Sequence, residues 1–184
     1  MNPLCHYREF AIQRLSLQHK IERQSQTYLD VFAHKATDPL LKQVILDAHT
    51  EAKDRLKSLE SLLLSMDVIA QLGYAESTNG IVYEGLQRLG VEPDPFSRDA
   101  IILQTLILLY DYKLANYRII IDYFQALEQE YPLYVTQSLL ENEKKILYQF
   151  RKLLTADVMS SSRETSPPPQ SVRSGMHEQV VRDN

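Results

Sequence analysis

The sequence predicts an all-α fold: a four-helix bundle with a long crossover between its second and third long helices. Three observations point there. Long segments carry apolar residues at three- and four-residue spacing. No segment alternates apolar and polar residues as a half-buried strand would. The five glycines, Gly73, Gly80, Gly85, Gly90 and Gly175, fall outside the long periodic runs. Glycine costs about 1 kcal/mol in a helix interior, so this placement marks where helices stop.

The first helix is predicted over about 4–36, with the row Ala11, Leu15, Gln18, Glu22, Ser25, Leu29 and Phe32. It breaks at Thr37-Asp38-Pro39, where Asp38 suits a cap and Pro39 the first turn of a new helix. The second helix is predicted over about 39–66, with Leu41, Ile45, Ala48, Ala52, Leu59, Leu62 and Met66 on one face. The short junction sets these two helices antiparallel. Residues 67–96 hold four glycines and the Pro93-Asp94-Pro95 turn, too long a stretch for an ordinary loop. Within it, 80–89 is compatible with a short crossover helix.

The third long helix is predicted over about 97–130, capped by Ser97, with the stripe Leu103, Ile107, Tyr110, Leu114, Tyr117, Ile121 and Phe124. Pro132 ends it and opens the fourth, about 133–155, with Thr136, Leu140, Glu143, Leu147, Phe150 and Leu154. A helix of thirty residues is about 45 Å long, so the bundle is slim. Residues 1–155 form one domain, and 156–184, with Ser160 to Ser162 and Pro167 to Pro169, read as a disordered Ser/Pro-rich tail. Two antiparallel pairs joined by a crossover is the ferritin-like arrangement.

Composition narrows the function classes. The net charge is −4 with both signs interspersed, so nucleic acid is not an expected partner. The start lacks a charged segment followed by an apolar run, and no stretch approaches the about 20 apolar residues of a membrane span. The one cysteine, Cys5, cannot close an internal disulfide. A soluble cytoplasmic protein is expected.

Ferritin-like bundles hold two metal ions with carboxylates and histidines that project inward at mid-height. Three carboxylates interrupt or border the apolar stripes here. Glu22 is seven residues from both Leu15 and Leu29, Glu143 lies between Leu140 and Leu147, and Glu51 follows Ala48 by three. A buried carboxylate needs a partner, so three at similar height suggest a shared polar layer. The competing reading puts each at the surface, Glu51 paired with Arg55 at i+4 and Glu22 turned out beside Lys20 and Arg23. His6, His19, His34 and His49 are scattered and none stands three residues after a glutamate, so the Glu-x-x-His pairs of di-iron bundles are missing. Exposed or hydrogen-bonded histidines are expected. Gly80-Ile-Val-Tyr-Glu-Gly85 follows no strand and is not a phosphate loop.

Several segments in order carry a family likeness. Ala36-Thr-Asp-Pro39, Leu41-Lys42, Glu51, Leu59 and Glu60 extend back to Glu22 and Gln24. Gly80, Glu84 and Gly85, then Arg98-Asp99-Ala100, Tyr117 and Glu143-Lys144 continue it, over roughly 15–155. Together they resemble the YciF-like proteins, bacterial ferritin-like proteins associated with stress. The resemblance implies that Glu22, Glu51 and Glu143 are retained acidic positions of a metal layer. It also shows departures. Ala115-Asn116-Tyr117-Arg118 stands where the family reads Glu-His-Tyr-Glu, Ala48 replaces a histidine, and Leu147 replaces an acid.

A di-iron or di-manganese pair needs about four carboxylates, usually with imidazoles. The expectation is therefore a degenerate site in which Arg118 supplies the missing positive charge through its fork of donors. Against it stands a surface Arg118 paired with Asp122. The function expected is non-enzymatic: a metal-free, structural or stress-associated protein without cofactor. A homodimer follows from the family and from Ile101, Ile102, Ile119 and Ile120, which extend the third helix's apolar surface beyond one face. Two rivals stand. One is a carboxylate-bridged di-iron or di-manganese, or single-metal, redox or storage protein that adds ligands such as Asp111, Asp47 or His49 to Glu22, Glu51 and Glu143. The other is an adaptor that works through the tail.

Overall fold

The computed structural model describes residues 3–71, 73–91 and 93–164. Five helices account for the regular structure, and no strand occurs among the described residues: α1 (Pro3–Lys35), α2 (Pro39–Ser65), α3 (Glu76–Leu89), α4 (Pro95–Ala126) and α5 (Glu130–Glu164). The four long helices form a ferritin-like bundle in which α1 packs on α2 and α4, and α5 packs on α4 and α2. The α3 crossover lies against α4 and carries the chain from one end of the bundle to the other. No described helix is long and apolar enough to cross a membrane.

The apolar rows explain the packing. Every member of the α1 row, from Ala11 through Gln18, Glu22 and Ser25 to Phe32, is fully buried. The α2 stripe from Leu41 to Met66 is buried as well, and α5 buries Thr136, Leu140, Glu143, Leu147 and Phe150. The α4 face is broader than the expected stripe. It adds Ile102, Leu106, Leu109, Lys113, Asn116 and Ile120, because α1, α3 and α5 all pack around it. Ile101, Ile102 and Ile120 are therefore covered within one chain, and Ile119 is half-buried. These isoleucines do not require a second copy.

Helix ends follow local chemistry. Asp38 caps α2 by accepting from Leu41 N at 2.7 Å, with Pro39 in the first turn. Ser97 is not the cap of α4: Asp94 is, accepting from Ser97 N at 3.0 Å, and Pro95 opens the helix two residues earlier than expected. The turn after α4 comes at 127–129, where Glu128 takes a left-handed φ of 51°, so Pro132 lies inside the first turn of α5. The α3 helix starts at Glu76, which places Gly80 and Gly85 inside it. Gly85 is there for contact: a Cβ would come within 2.7 Å of Thr105 Cγ2 on α4. The α5 helix runs to Glu164, past the expected end near 155; the rest of the expected tail, 165–184, lies outside the described residues.

Two buried polar groups tie the ends to the bundle. Asp99 accepts from Thr37 N and Asp38 N, both at 2.8 Å, and from the Thr37 hydroxyl, fixing the α1–α2 turn to α4. Gln24 Oε1 accepts from Ala75 N at 2.8 Å and Thr78 Oγ1 at 3.2 Å, anchoring the start of α3 on α1.

Candidate functional site: a buried ionic layer

Midway along the bundle each long helix contributes one charged side chain to its interior. Glu22 comes from α1, Arg55 from α2, Lys113 from α4 and Glu143 from α5, and none is more than 2 % exposed. Lys113 Nζ lies 2.9 Å from Glu22 Oε1 and 2.7 Å from Glu143 Oε1. Arg55 Nε lies 3.4 Å from Glu22 Oε2 and 2.8 Å from Glu143 Oε1. Each carboxylate thus meets both cations. Around Glu143 the cations approach off the hydrogen-bond directions, so those contacts are chiefly electrostatic. Gln18 Nε2 donates to Glu22 Oε1 at 3.1 Å, and Asn116 Nδ2 donates to Gln18 Oε1 at 2.7 Å. The Lys113 ammonium also sits 4.3 Å from the centre of the Tyr110 ring, a cation–π contact.

The electrostatics follow from burial and this crossing of charges. Burial alone would raise Glu22, but Lys113 and Arg55 outweigh it and bring its carboxyl down to about 2. Burial raises Glu143, the charge on Glu22 adds to the effect, and the cations offset only part, leaving it near 8. The first negative charge in the layer is strongly held; the second is opposed by the first. Burial opposes the charge on Arg55, yet Glu22 and Glu143 raise its affinity for the proton. Burial, reinforced by the nearby carboxylates, lifts Tyr110 and Tyr117 well above the usual phenol range, so both are neutral hydroxyls.

Of the three acids expected in this layer, Glu22 and Glu143 are in it. Glu51 is not: its side chain is 55 % exposed, 3.6 Å from Arg55 Nη1. Arg118 is also elsewhere. In the Ala115-Asn116-Tyr117-Arg118 segment the two middle residues face inward and the two outer ones are exposed, because a helix turns 100° per residue. Asp111 is held by Arg151 at 2.6 Å on the surface, and Asp47 pairs with Gln43 at 2.8 Å. His49 is half-buried on α2, away from the row that carries Arg55. His19 is buried and hydrogen-bonded to Glu60 at 3.2 Å.

Arg55 and Lys113 were missed, and the sequence did carry their signal. Arg55 fills the gap between Ala52 and Leu59 in the α2 stripe, and Lys113 falls between Tyr110 and Tyr117 on α4. Spacing alone pointed to Arg55 only as a surface partner of Glu51 and gave Lys113 no role, and Lys and Arg are rarely fully buried.

The model of the family described as "Domain of unknown function (DUF892)" matches residues 7–162. The chain belongs to the DUF892 family. Its fold is that of YciF-like proteins. The solved structure of the E. coli stress protein YciF is 17 % identical, with 86 % of this chain and 98 % of that one covered and a TM-score of 0.78. YcfI from Rhodopseudomonas palustris is also 17 % identical, covering 79 % of this chain and 92 % of its own, with a TM-score of 0.76. A protein from Xanthomonas campestris pv. campestris matches at 15 % identity, 88 % and 99 % coverage and a TM-score of 0.62. No curated protein matches the chain.

In this DUF892 member the layer does not fit a carboxylate-bridged metal pair. Only two of four helices present an acid, and both acids are already bound by cations. A divalent ion placed between Glu22 and Glu143 would lie against an ammonium and a guanidinium. Among the described residues no three His, Cys, Asp or Glu side chains gather elsewhere to hold a metal. The interior positions that would hold a metal pair are filled by two acids and two bases of the chain itself.

Proposed function

We propose that this protein is a non-catalytic, metal-free helical protein of YciF type, with a structural or stress-associated role in the cytoplasm. The observation that carries the reading is the seating of Lys113 and Arg55 on both interior carboxylates, at 2.7–3.4 Å. A metal pair is a Lewis acid and a source of activated water or oxygen; two side-chain cations supply charge but neither function. The name of the E. coli neighbour, a stress protein, supports the stress-associated part. A homodimer belongs to the same reading. Leu108, 57 % exposed, and Phe96, 49 % exposed at the start of the helix, are large apolar side chains of α4 that stay open, and sedimentation of wild type against Leu108→Glu tests it.

Elemental mass spectrometry tests the metal-free reading, on protein expressed in iron- and manganese-supplemented medium without a metal-binding tag. Metal far below one equivalent per chain is expected. Near-stoichiometric iron or manganese that disappears in Glu143→Ala would overturn the reading and revive the redox or storage alternative.

A further inference from the structure

Two glycines sit inside α3, and contacts within the chain account for only one of them. Gly85 faces α4, where Thr105 leaves no room for a Cβ. Gly80 faces outward, and a Cβ added there would meet nothing within 4 Å. Glycine inside a helix weakens it relative to alanine, so its use on an open face points to a close approach from outside the chain. Tyr83, 64 % exposed, stands one turn further along the same face. The surface continues onto α4. Arg88 Nη1 donates to Gln104 Oε1 at 3.1 Å, and the exposed Leu108 lies one turn beyond Gln104. The charges of α3 are divided by end, with Glu76 in its first turn and Arg88 in its last. Those signs also suit the ends of a lone helix, but they leave Gly80 unexplained.

We propose that the outer face of α3 is a homodimer interface, with α3 of a second copy lying antiparallel across it and Gly80 at the closest approach. This face rests on the homodimer reading and gives that dimer its place. In a two-fold dimer every contact occurs twice, residue i on j and j on i. Position 82 is midway between Glu76 and Arg88, and it is also midway between Gly80 and Glu84. One antiparallel register therefore sets Glu76 against the partner's Arg88 and lays the stem of Glu84 over the partner's Gly80. Opposite charges meet at both rims, while Tyr83 and Leu108 lie between them. A parallel pairing would instead oppose Glu76 to itself. The same helix supplies both halves of the match, which is why a second copy fits the face.

Sedimentation equilibrium of the full chain tests this face. Wild type is expected to dimerise. Gly80→Leu should weaken association about tenfold by holding the two helices apart, yet raise the melting temperature of the dilute chain, because leucine is the better helix former. Glu76→Arg and Arg88→Glu should each weaken the dimer several-fold, since each sets like charges together at both rims. The double variant exchanges the two charges and should regain wild-type affinity to within about twofold. A dimer that Gly80→Leu leaves unchanged, or a double variant no tighter than the single ones, would overturn this face and leave the homodimer reading standing. A wild-type chain that sediments as a monomer would overturn both and assign the face to a different partner.

Discussion

At the scale of single residues, two lysine and arginine positions decide the character of the core. Lys113 is fully buried and is shared by Glu22 and Glu143, so removing its charge leaves the two acids with the Arg55 guanidinium alone. Breaking a buried ion cluster from one side costs about 3–5 kcal/mol. Lys113→Met is therefore expected to lower unfolding free energy by about that amount in urea titrations. Arg118→Ala, by contrast, should change stability by less than about 0.5 kcal/mol, because the side chain is exposed. A Lys113→Met loss no larger than that of Arg118→Ala would refute the buried layer. Both acids of the layer were legible, but one expected acid does not belong to it. Glu22 and Glu143 could be read from their places inside apolar rows, whereas Glu51 at the edge of its stripe could not be placed by spacing alone.

At the scale of elements, a close approach of Gly85 to α4 and the buried acceptor Gln24 Oε1 hold the crossover. Gly85→Ala puts a methyl group into Thr105, which is itself buried under α3. Overpacking of this kind costs about 1–3 kcal/mol. Thr105→Ala in the same chain should recover part of the loss, and strictly additive effects in that double-mutant cycle would show that the two residues do not touch. Asp99→Ala should cost about 1–3 kcal/mol in the same assay, since it strands Thr37 N and Asp38 N in a partly buried turn. The long helices and the first junction were legible because Asp38-Pro39 is a local signal. The α4 and α5 boundaries were not. Asp94 competed with Ser97 as a cap, and the turn at 127–129 uses a left-handed Glu128 where a glycine would have marked it.

At the scale of the whole molecule, the layer links protons to folding. Glu22 is lowered to about 2 from an ordinary 4.5, so it adds stability above pH 4.5 that is lost as pH falls toward 2. Glu143 has the opposite sign. Raised to about 8 from 4.5, it favours the folded state fully below pH 4.5, and that contribution is lost as pH rises through 8. The melting temperature should therefore climb from pH 2 to about 4.5 and decline toward pH 8. In Glu143→Gln the decline should flatten while the acid limb stays. An unchanged slope between pH 5 and 8 in that variant would mean that Glu143 is ionised in the folded protein throughout.

The sequence by itself determined the helical class, the antiparallel first pair, the crossover and the likeness to YciF-like proteins. These depend on periodicity, caps and glycine placement, which act over a few residues. Only the tertiary structure decided which charges share the interior. A helical row shows the face a residue occupies, but not how far that face is sealed by its neighbours. Arg55 and Lys113 are inside because α1 and α5 bring Glu22 and Glu143 to the same height, and the cost of burying each charge is met only when all four are together.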